Sequence, residues 1–387
     1  MDLPLEGFRV VEMSHMIMGP SCGMFLTQLG AEVIKVEPPE GDKTRYLTGM
    51  GTGFFPVFNR GKRSVVLDLK TQPGRDAMHR LLETADVFVE NFRDSALDRI
   101  GLGHKNLCKL YPKLIIAAHK GFLSGPYEHR PALDEVVQMM TGLAYMTGPK
   151  GQPLRVGSSA NDIMGGMHGT MSIMGALLQR VRSGKGKFIR IGLFENCLLM
   201  VAQHMVQFEL TGVDAPPMPN RDFSWPVYDI FATADDSKVF VAVVTETQWQ
   251  PFCEAFALDD LANHPELTDQ LSRIHARSWT VPRIGEALIH YSAKDLMDKL
   301  EALGLPYSPI NKPADLYNDP HVLRTGGLVT SNMPDGRVFR TPAMPVEYDG
   351  VMPQGPADVP DLGADTVDVL STLGYSQEEI AELAPGG

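Results

Sequence analysis

A single carboxylate at the start of a long, nearly uncharged stretch is the first candidate for chemistry in this sequence. Residues 158 to 181 are SSANDIMGGMHGTMSIMGALLQRV, so Asp162 precedes about four helical turns of apolar and small residues. A carboxylate in a first helical turn accepts backbone hydrogen bonds and is stabilised by the helix dipole, so capping is the simpler interpretation. Held beside an electrophilic carbonyl, the same group could act as a nucleophile and form an acyl intermediate. These residues alone leave both interpretations open.

The residues after Asp162 predict a crowded helix. Gly165 and Gly166 each lower helix stability by about 1 kcal/mol relative to alanine, which indicates that something near Asp162 needs room. Gly165 and Gly169 form a GxxxG pattern that lets another backbone approach closely. The methionines at 164, 167, 171 and 174 share one helical face. We expect this methionine stripe and His168 to pack in the core.

Apolar runs alternate with helical patterns over the first part of the chain. FRVVEMS is predicted to be a buried strand, PSCGMFLTQLG a helix closed by Gly30, and AEVIKVE a second strand. The alternation continues through KRSVVLDL, GRDAMHRLLETA, DVFVENF and LIIAAHKG. This pattern predicts an α/β fold with a parallel sheet covered on both faces, and ligands gather at the carboxyl ends of the strands of such sheets.

A change of pattern near Val201 predicts a second, smaller domain. The proline-rich stretch GVDAPPMPNRDFSWP indicates an extended linker, because proline lacks a backbone donor and restricts its neighbour. Two predicted strands, VYDIFAT and KVFVAVV, then precede a run of helices, as in an α+β unit. The final segment is predicted to rejoin the first domain with a helical pair. The predicted boundaries are 1–200 for the large domain, 201–225 for the linker, 226–310 for the small domain, and 311–387 for the return linker and the rest of the large domain.

Composition restricts the kind of partner. The 387 residues carry a formal net charge of −12, with 43% hydrophobic and 21% charged residues, which is typical of a soluble globular protein and argues against nucleic acid as a partner. Basic residues nevertheless concentrate in the first hundred positions, several of them at predicted strand ends. There they would suit a nucleotide phosphate, although a solvated basic face is an equal alternative. The set is Lys35, Lys43, Arg45, Arg60, Lys62, Arg63, Lys70, Arg75, Arg93 and Arg99.

Other chemistries lack their residue patterns. The four cysteines are far apart, which fits a reduced, cytoplasmic protein. His15, His119 and His168 each stand alone, so no metal site is predicted, although His15 directly follows a strand and could face a ligand. No GxSxG elbow supports a serine hydrolase, and GMGTGF lacks a preceding strand and is predicted to be a loop. No stretch is long enough to cross a bilayer, and the first residues do not resemble a signal peptide.

Segments along nearly the whole chain resemble the class III CoA-transferase family, which also contains formyl-CoA and carnitine CoA-transferases and the α-methylacyl-CoA racemases. The resemblance implies a Rossmann-like large domain built from both chain ends, a smaller middle domain, and two subunits interlocked as a homodimer. The segments are LPLEGFRVVEMSH, QLGAEVIKVEPPEGDKTR, FNRGKRSVVLDLKT, ADVFVENFRDSALDRIGLG, GPYEHRPALDEVVQMMTGL, NDIMGGMHGTMSIMGALLQRVRSGKGKFIRIGLFE and LGADTVDVLSTLGYSQEEIAEL.

The same resemblance implies roles for individual residues. The family's catalytic carboxylate precedes a Gly-rich helix start and corresponds to Asp162. Coenzyme A is the implied ligand, as part of an acyl-CoA substrate, without a metal or redox cofactor. The implied contacts to its adenosine and phosphates are Leu67, Leu69, Lys70, Asn91, Phe92, Arg93 and Arg99, and those near its thiol end are His15, Ile17, Met18 and Asp134.

Departures from the family pattern narrow the activity. The racemases carry a histidine where PALDEVV has Leu133, and moving a proton between two faces of a carbon generally needs a group on each face, so racemisation is disfavoured. Formyl-CoA transferases have a Gln-Ala pair where this chain has Ile17 and Met18, and a glycine-rich flap where it has MPNRDFSWP. Formyl or oxalate specificity is therefore not expected.

The resulting hypothesis is transfer of CoA from an acyl-CoA donor to a carboxylate acceptor, through mixed anhydrides and an aspartyl-CoA thioester on Asp162. Gly165 and Gly166 are predicted to supply oxyanion-stabilising N–H groups. A small dicarboxylate such as succinate, mesaconate or itaconate is the expected acceptor, with Arg45 or Arg221 as its partner. The alternatives are an acyl-CoA racemase or isomerase that uses Asp162 as an acid or base, and a CoA-binding protein without catalysis.

Overall fold

The chain divides into two units. The computed structural model describes residues 3–220 and 225–383. The first unit combines Met1–Pro219 with His321–Gly387, and the second is Asn220–Pro320. The predicted small domain, 226–310, falls inside the second unit, and both chain ends belong to the first.

A parallel sheet forms the centre of the first unit, and six strands belong to it among the described residues. The strands are β1 (Arg9–Met13), β2 (Glu32–Glu37), β3 (Arg63–Val66), β4 (Val87–Glu90), β5 (Ile115–Lys120) and β6 (Phe188–Gly192). Their order is β3-β2-β1-β4-β5-β6, so the direction of winding reverses between β1 and β4. In open α/β sheets the ligand crevice lies outside the carboxyl ends of the strands at such a switch point. The α/β prediction is confirmed.

Helices cover both faces of this sheet. They are α1 (Met18–Gln28), α2 (Phe54–Asn59), α3 (Gln72–Glu83), α4 (Asp94–Arg99), α5 (His104–Leu110), α6 (Asp134–Thr141), α7 (Leu143–Thr147), α8 (Ala160–Ser183) and α9 (Leu193–Thr211). Successive strand residues point to opposite faces, so Val10 joins a core with α1, α8 and α9, whereas Val11 joins a second core with α3, α4 and α5.

The second unit has its own core. Strands β7 (Val227–Ala232), β8 (Lys238–Val243) and β9 (Tyr307–Pro309) pair antiparallel in that order. The helices of this unit are α10 (Glu246–Ala255), α11 (Asp259–Ala262), α12 (Gln270–His275), α13 (Arg277–Leu288) and α14 (Ala293–Ala302). Trp249, Phe252 and Leu296 lie in a core with the inward residues of these strands.

The C-terminal segment completes the first unit. The hairpin of β10 (Leu328–Asn332) and β11 (Val338–Pro342) leads to α15 (Thr366–Thr372) and α16 (Gln377–Leu383). Helices α15 and α16 add apolar residues to the core of the first unit that contains Val11, α3, α4 and α5. The segment is fixed to β3, because the Asp365 carboxylate accepts from the Ser64 backbone N–H at 2.9 Å and pairs with Arg63 at 3.0 Å.

Two local predictions were wrong. The linker was predicted to begin at 201, but α9 continues to Thr211 and ends at Gly212, whose left-handed φ of 70° is typical of a helix C-terminus. The GMGTGF stretch was predicted to be a loop, but residues Gly49–Gly53 form a 3-10 helix that runs directly into α2. Residues 201–211 contain neither glycine nor proline, so nothing in them ends α9 before Gly212. In residues 49–53 the glycines, which local propensity treats as breakers, still allow a short 3-10 helix.

Candidate active site

Asp162 lies in the first turn of α8 but does not cap the helix. The N-cap residue is Ser159, and its side chain makes no capping hydrogen bond. The first intrahelical bond runs from the Ile163 N–H to the Ser159 carbonyl at 3.0 Å. Within the described residues nothing donates a hydrogen bond to the Asp162 carboxylate. The capping interpretation is therefore wrong, and the carboxylate is available to a ligand.

The environment of Asp162 favours its neutral form. Burial raises the pKa of Asp162 to about 7, the negative charge of Asp134 adds to this effect, and the positive charge of Arg155 opposes it. A carboxyl group with this pKa is about half ionised at neutral pH. It can serve as a nucleophile or as an acid/base group under physiological conditions.

A polar cluster on α6 fixes the segment that leads into α8. Gln138 donates to both oxygens of the Asp134 carboxylate at 3.1 and 3.0 Å, and its own carbonyl oxygen accepts from the Val156 N–H at 2.9 Å. Arg155 lies 3.3 Å from Asp134 and donates to the Ser158 carbonyl at 3.3 Å. The structure thus brings the predicted site residue Asp134 into the same electrostatic environment as Asp162, and it adds Arg155, which sequence analysis missed.

Asn161 anchors the first turn of α8 from the other side. Its side chain is fully buried and donates to the Leu193 carbonyl at 3.2 Å. The Asn196 amide on α9 donates to the Asn161 carbonyl at 2.8 Å. This pair holds Asp162 in place without touching its carboxylate. This role was not predicted from the sequence, because the partners of Asn161 lie on another helix.

The glycines of α8 are explained by helix packing. A Cβ atom at Gly165 would lie 2.5 Å from Met18 Cε, and one at Gly166 would lie 2.1 Å from Ser21 Oγ and 2.9 Å from the Cys22 backbone nitrogen. The space beside them is therefore filled by α1. Both N–H groups lie beyond the first turn, where helix geometry engages them with carbonyls four residues earlier. The oxyanion role predicted for Gly165 and Gly166 stays a prediction.

The loops after β1 and β4 meet at the switch point. The Asn91 side chain accepts from the His15 N–H at 3.0 Å and donates to the His15 carbonyl at 2.7 Å. The rings of His15 and Phe92 pack edge to face, with centroids 5.2 Å apart. The Phe92 N–H donates to Glu90, and Lys120 donates to the Phe92 carbonyl at 2.5 Å. Three predicted contact residues, His15, Asn91 and Phe92, therefore form one preorganised edge.

Met18 connects this edge to Asp162. Ile17 and Met18 are buried at the start of α1, with 2% and 6% of their surface exposed. Met18 contacts α8 at Gly165, about one helical turn from Asp162. The loop that carries His15 thus ends against the helix that carries the carboxylate. Ile17 and Met18 are both almost completely covered by the surrounding chain.

The remaining predicted contacts follow the ends of β3 and β4. Lys70, Arg93 and Arg99 are exposed, as expected for groups that would bind phosphates, whereas Leu67 is buried. Leu69 is partly buried against the core of the first unit that contains Val11, α3, α4 and α5. The basic residues of this set therefore lie beyond strands that end at one edge of the sheet.

Three other expectations need correction. Arg45 was a candidate acceptor partner, but its guanidinium binds Glu37 through two bonds of 2.7 and 2.6 Å and the Pro360 carbonyl at 3.0 Å, so it is already engaged. The other candidate, Arg221, lies outside the described residues. Met167 and Met171 are 46% and 58% exposed and do not pack in the core. His168 instead lines a cavity of about 220 Å³.

The described residues contain neither a metal-binding cluster nor a helix able to span a membrane. No group of histidine, cysteine, aspartate or glutamate side chains there has an arrangement that could hold a metal ion. None of the helices in residues 3–220 and 225–383 combines the length and apolar character that crossing a membrane requires.

The first unit combines a parallel α/β sheet with a partly buried carboxylate at the start of α8. A family model described as CoA-transferase family III matches residues 5–366. The chain is 31% identical over 390 residues to succinate–glutarate CoA-transferase of Agrobacterium fabrum (strain C58 / ATCC 33970), with 96% of each chain covered. It is 32% identical over 344 residues to acetyl-CoA:oxalate CoA-transferase of Acetobacter aceti, covering 86% of this chain and 88% of the relative.

A solved structure supports the same assignment. The CaiB/BaiF family protein from Brucella suis superposes with a TM-score of 0.87 at 29% identity, covering 96% of this chain and 100% of that one. The chain belongs to CoA-transferase family III. It is accordingly an enzyme of the CoA-transferase class, and CoA thioesters are the substrates of that class.

Proposed function

We propose that this CoA-transferase moves CoA from an acyl-CoA donor to a carboxylate acceptor, with Asp162 as the nucleophile. The observation that carries the proposal is a partly buried carboxylate with a pKa near 7, without a hydrogen-bond donor among the described residues, at the start of α8. It lies about one turn from the contact with Met18, so a thioester held at the loop after β1 could reach it.

The proposed reaction balances without electron transfer. An Asp162 oxygen attacks the thioester carbonyl carbon, the C–S bond breaks, and CoA leaves as the thiolate from a mixed anhydride. The thiolate then attacks the Asp162 carbonyl carbon, which releases the donor carboxylate and leaves an aspartyl-CoA thioester. The acceptor carboxylate attacks that thioester to form a second anhydride. Return of the thiolate to the acceptor's carbonyl yields the new acyl-CoA and regenerates Asp162. These steps require no redox cofactor.

The start of α8 supports each attack electrostatically. The N–H groups of the first turn carry partial positive charge, which would stabilise the oxyanion of each tetrahedral intermediate. Arg155 is the cation that acts on Asp162 and is partly exposed, with 26% of its side-chain surface accessible. We propose Arg155, in place of Arg45, as the group that attracts the acceptor carboxylate, because its contacts with Asp134 and the Ser158 carbonyl, at 3.3 Å, are longer than the bonds of Arg45 to Glu37.

The acceptor is proposed to be a small dicarboxylate such as succinate, mesaconate or itaconate. One relative acts on succinate and glutarate by its name, which supports a dicarboxylate. The matching relative named for oxalate keeps a two-carbon acceptor in the test set, although Ile17 and Met18 disfavour it.

A matrix of acyl-CoA donors and carboxylates, analysed by mass spectrometry, tests the proposal. The expected result is exchange with at least one short dicarboxylate pair, together with a hydroxylamine- or borohydride-trapped adduct on the Asp162 peptide. Deuterium entering the α-position of an acyl-CoA in D2O without an acceptor would instead support a racemase or isomerase. Binding of CoA without exchange or adduct would support a non-catalytic protein.

Acid is expected to switch off adduct formation near neutrality. Only the carboxylate is nucleophilic, and the pKa of Asp162 is about 7, so the rate should fall about tenfold for each pH unit below that value. Asp134→Asn removes a negative charge that raises this pKa, and the acid limb should move to lower pH. Single-turnover rates between pH 5 and 9 measure the pH dependence of adduct formation in the wild type and in Asp134→Asn. The control Glu135→Gln changes an exposed neighbour and should leave the limb in place, and an equal shift in the control would contradict the assignment.

We also propose a homodimer in which a second copy covers α8 and α9. Exposed apolar residues line one face of α8 with helical spacing, namely Met167, Met171, Leu178 and Val181, and α9 adds Leu199 and Leu210. Leu178, Val181 and Leu210 are 69%, 84% and 80% exposed, more than an isolated surface favours.

The cytoplasmic location stays a prediction, and the unpaired state of the four cysteines supports it.

Replacing Leu178 and Val181 together by lysine is expected to weaken this dimer at least tenfold, because two charges would be buried without partners. Light scattering after size-exclusion chromatography measures the mass across a dilution series. Leu110→Lys alters a comparably exposed leucine on α5 and should leave the mass unchanged. A monomeric wild type, or a doubly substituted protein that stays dimeric at every dilution, would contradict the proposal.

A further inference from the structure

Two lysines and a glutamate lie completely inside the first unit, under the loop between β1 and α1. Glu12 on β1 and Lys35 on β2 each have 0% of their surface exposed, and Lys62 has 4%. Lys62 Nζ lies 2.7 Å from one Glu12 oxygen and donates to the other at 2.9 Å. Lys35 Nζ lies 3.5 Å from Glu12 and 2.9 Å from Asp42. The charges are paired, but none reaches solvent.

A buried cluster of charges contributes less to the free energy of folding than apolar residues in the same place often would. Removing charges from water opposes folding, and well-packed apolar residues of similar size often serve stability as well or better. Burial lowers the pKa of Lys62 to about 8, with Glu12 opposing the shift. Burial acts in the same direction on Lys35, but Glu12, Asp42 and Glu37 raise its pKa overall. The cluster therefore needs an explanation beyond packing.

One buried lysine holds a backbone carbonyl at the start of the loop after β1, and the other holds a carbonyl in the first turn of α1, which follows that loop. Lys35 donates to the Ser14 carbonyl at 2.8 Å, and Lys62 donates to the Pro20 carbonyl at 3.0 Å. The Ser14 hydroxyl donates to Glu12 at 3.0 Å. The segment between these attachments carries His15, Ile17 and Met18, the residues predicted to lie near the thiol end of CoA.

The backbone of this loop is strained, and the packing above the cluster is tight. Met16 has a φ of +63°, which a non-glycine residue adopts only where the surroundings enforce it. A Cβ atom at Gly23 would lie 1.7 Å from a Glu12 oxygen, so α1 passes directly over the carboxylate. Asn59 Oδ1 accepts a further bond from Lys62 at 3.0 Å. The cluster thus fixes both ends of the loop and the start of α1 in one arrangement.

We propose that Lys35 and Lys62 are positioning residues that preform the acyl-CoA loop after β1, together with the first turn of α1, from Ser14 to Pro20. This inference rests on the proposed function, because it assigns the loop to the thioester end of the substrate. A loop that is already ordered loses little entropy when the substrate binds. Without the buried attachments, substrate binding itself must order the loop, and the lost entropy weakens binding. The KM for acyl-CoA therefore rises, while the chemistry at Asp162 stays intact.

The test removes the attachment without leaving a lone buried charge. Glu12→Gln combined with Lys62→Met deletes one negative and one positive charge. Lys35→Gln combined with Asp42→Asn, in a second protein, removes the other buried pair, keeps Lys62 paired with Glu12 and keeps a donor near Ser14 of altered length. The matched control is Arg63→Met, which removes the cation next to Lys62. Arg63 pairs with Glu32 and Asp365 and touches no part of the loop.

Hydrogen exchange of the peptide spanning residues 13–22 measures how well the loop is ordered. Steady-state kinetics measure the effect of that order on the KM for acyl-CoA and on kcat. In a folded variant we expect exchange of these amides to accelerate at least tenfold, and the KM for acyl-CoA to rise at least tenfold with kcat changed less than threefold. Arg63→Met should lower the thermal midpoint without either change. Wild-type protection of the loop in either folded variant, or the same effects in Arg63→Met, would overturn the proposal.

The exchange measurement also separates this inference from the proposed function. If the wild type transfers no CoA but the loop loses protection in the variants, the cluster orders the loop and the assigned reaction is wrong. If the wild type transfers CoA and the KM is unchanged in a variant with a loosened loop, the reaction stands and the positioning role is wrong.

Discussion

Asp162→Asn is expected to abolish CoA exchange while the protein still folds and binds CoA. The amide has the size of the carboxyl group but cannot form an anhydride, and removal of a catalytic nucleophile typically lowers kcat by about 10⁴-fold or more. No hydrogen bond within the described residues depends on the carboxylate, so the fold should survive. Exchange and adduct formation are followed by mass spectrometry, and CoA binding by calorimetry. Residual exchange within about tenfold of wild type would show that Asp162 is not the nucleophile.

The same substitution is expected to raise stability at neutral and alkaline pH. The folded-state pKa of Asp162 is about 7, above its ordinary value of 3.8, so the folded protein binds this proton more tightly than the unfolded chain does. The contribution of Asp162 therefore becomes destabilising as the pH rises from about 4 through 7. The substituted amide carries no charge to desolvate, and the variant should have a higher thermal midpoint than wild type at pH 8, with the difference shrinking toward pH 4. A lower midpoint at pH 8 would contradict the burial of this charge.

Gly166→Ala is expected to lower the stability of the protein by forcing α1 and α8 apart. The new methyl group would lie 2.1 Å from Ser21 Oγ, 2.9 Å from the Cys22 nitrogen and 3.0 Å from the Met18 carbonyl oxygen. Two of these atoms belong to the backbone of α1, so the helices must separate. Overpacking of this kind costs roughly 2 to 3 kcal/mol, more than the gain of about 1 kcal/mol in helix propensity. Chemical denaturation measures the change in the free energy of unfolding.

Gly175→Ala supplies the matched control on the same helix. Nothing lies within 4 Å of a Cβ atom at Gly175. This substitution should therefore show only the propensity gain, a stabilisation of up to about 1 kcal/mol. If Gly166→Ala were as stable as Gly175→Ala, the close approach of α1 and α8 would be wrong. Because the same contact ends near Asp162, Gly166→Ala should also lower the rate of adduct formation.

Local sequence patterns predicted most of the first unit. Strand β2 and helix α3 were predicted close to their observed bounds, because alternation of two and periodicity of 3.6 are properties of a short segment. Asp162 was marked as unusual by its place before a nearly uncharged helix, and the family resemblance assigned it a role. The exposed positions of Lys70, Arg93 and Arg99 followed from their places after predicted strands.

The properties that make Asp162 reactive come from residues distant in the sequence. Burial is the main cause of its raised pKa, and the charges of Asp134 and Arg155 modify it. Gln138 holds α6, which carries Asp134, to the segment before α8, which carries Arg155. Likewise, the sequence alone left Arg45 free to bind an acceptor carboxylate. In the fold, Arg45 pairs with Glu37, the last residue of β2. No periodicity within one segment encodes these distances.

The α8 glycines and methionines show the same division. Their spacing placed each set on one side of a helix, but spacing does not say what lies opposite. In the fold, α1 fills the glycine side, whereas Met167 and Met171 remain exposed. The buried cluster of Glu12, Lys35 and Lys62 was invisible in the sequence for this reason too. Charged residues on three strand regions look solvated until the sheet brings them together, and only the packing of the whole unit removes water from them.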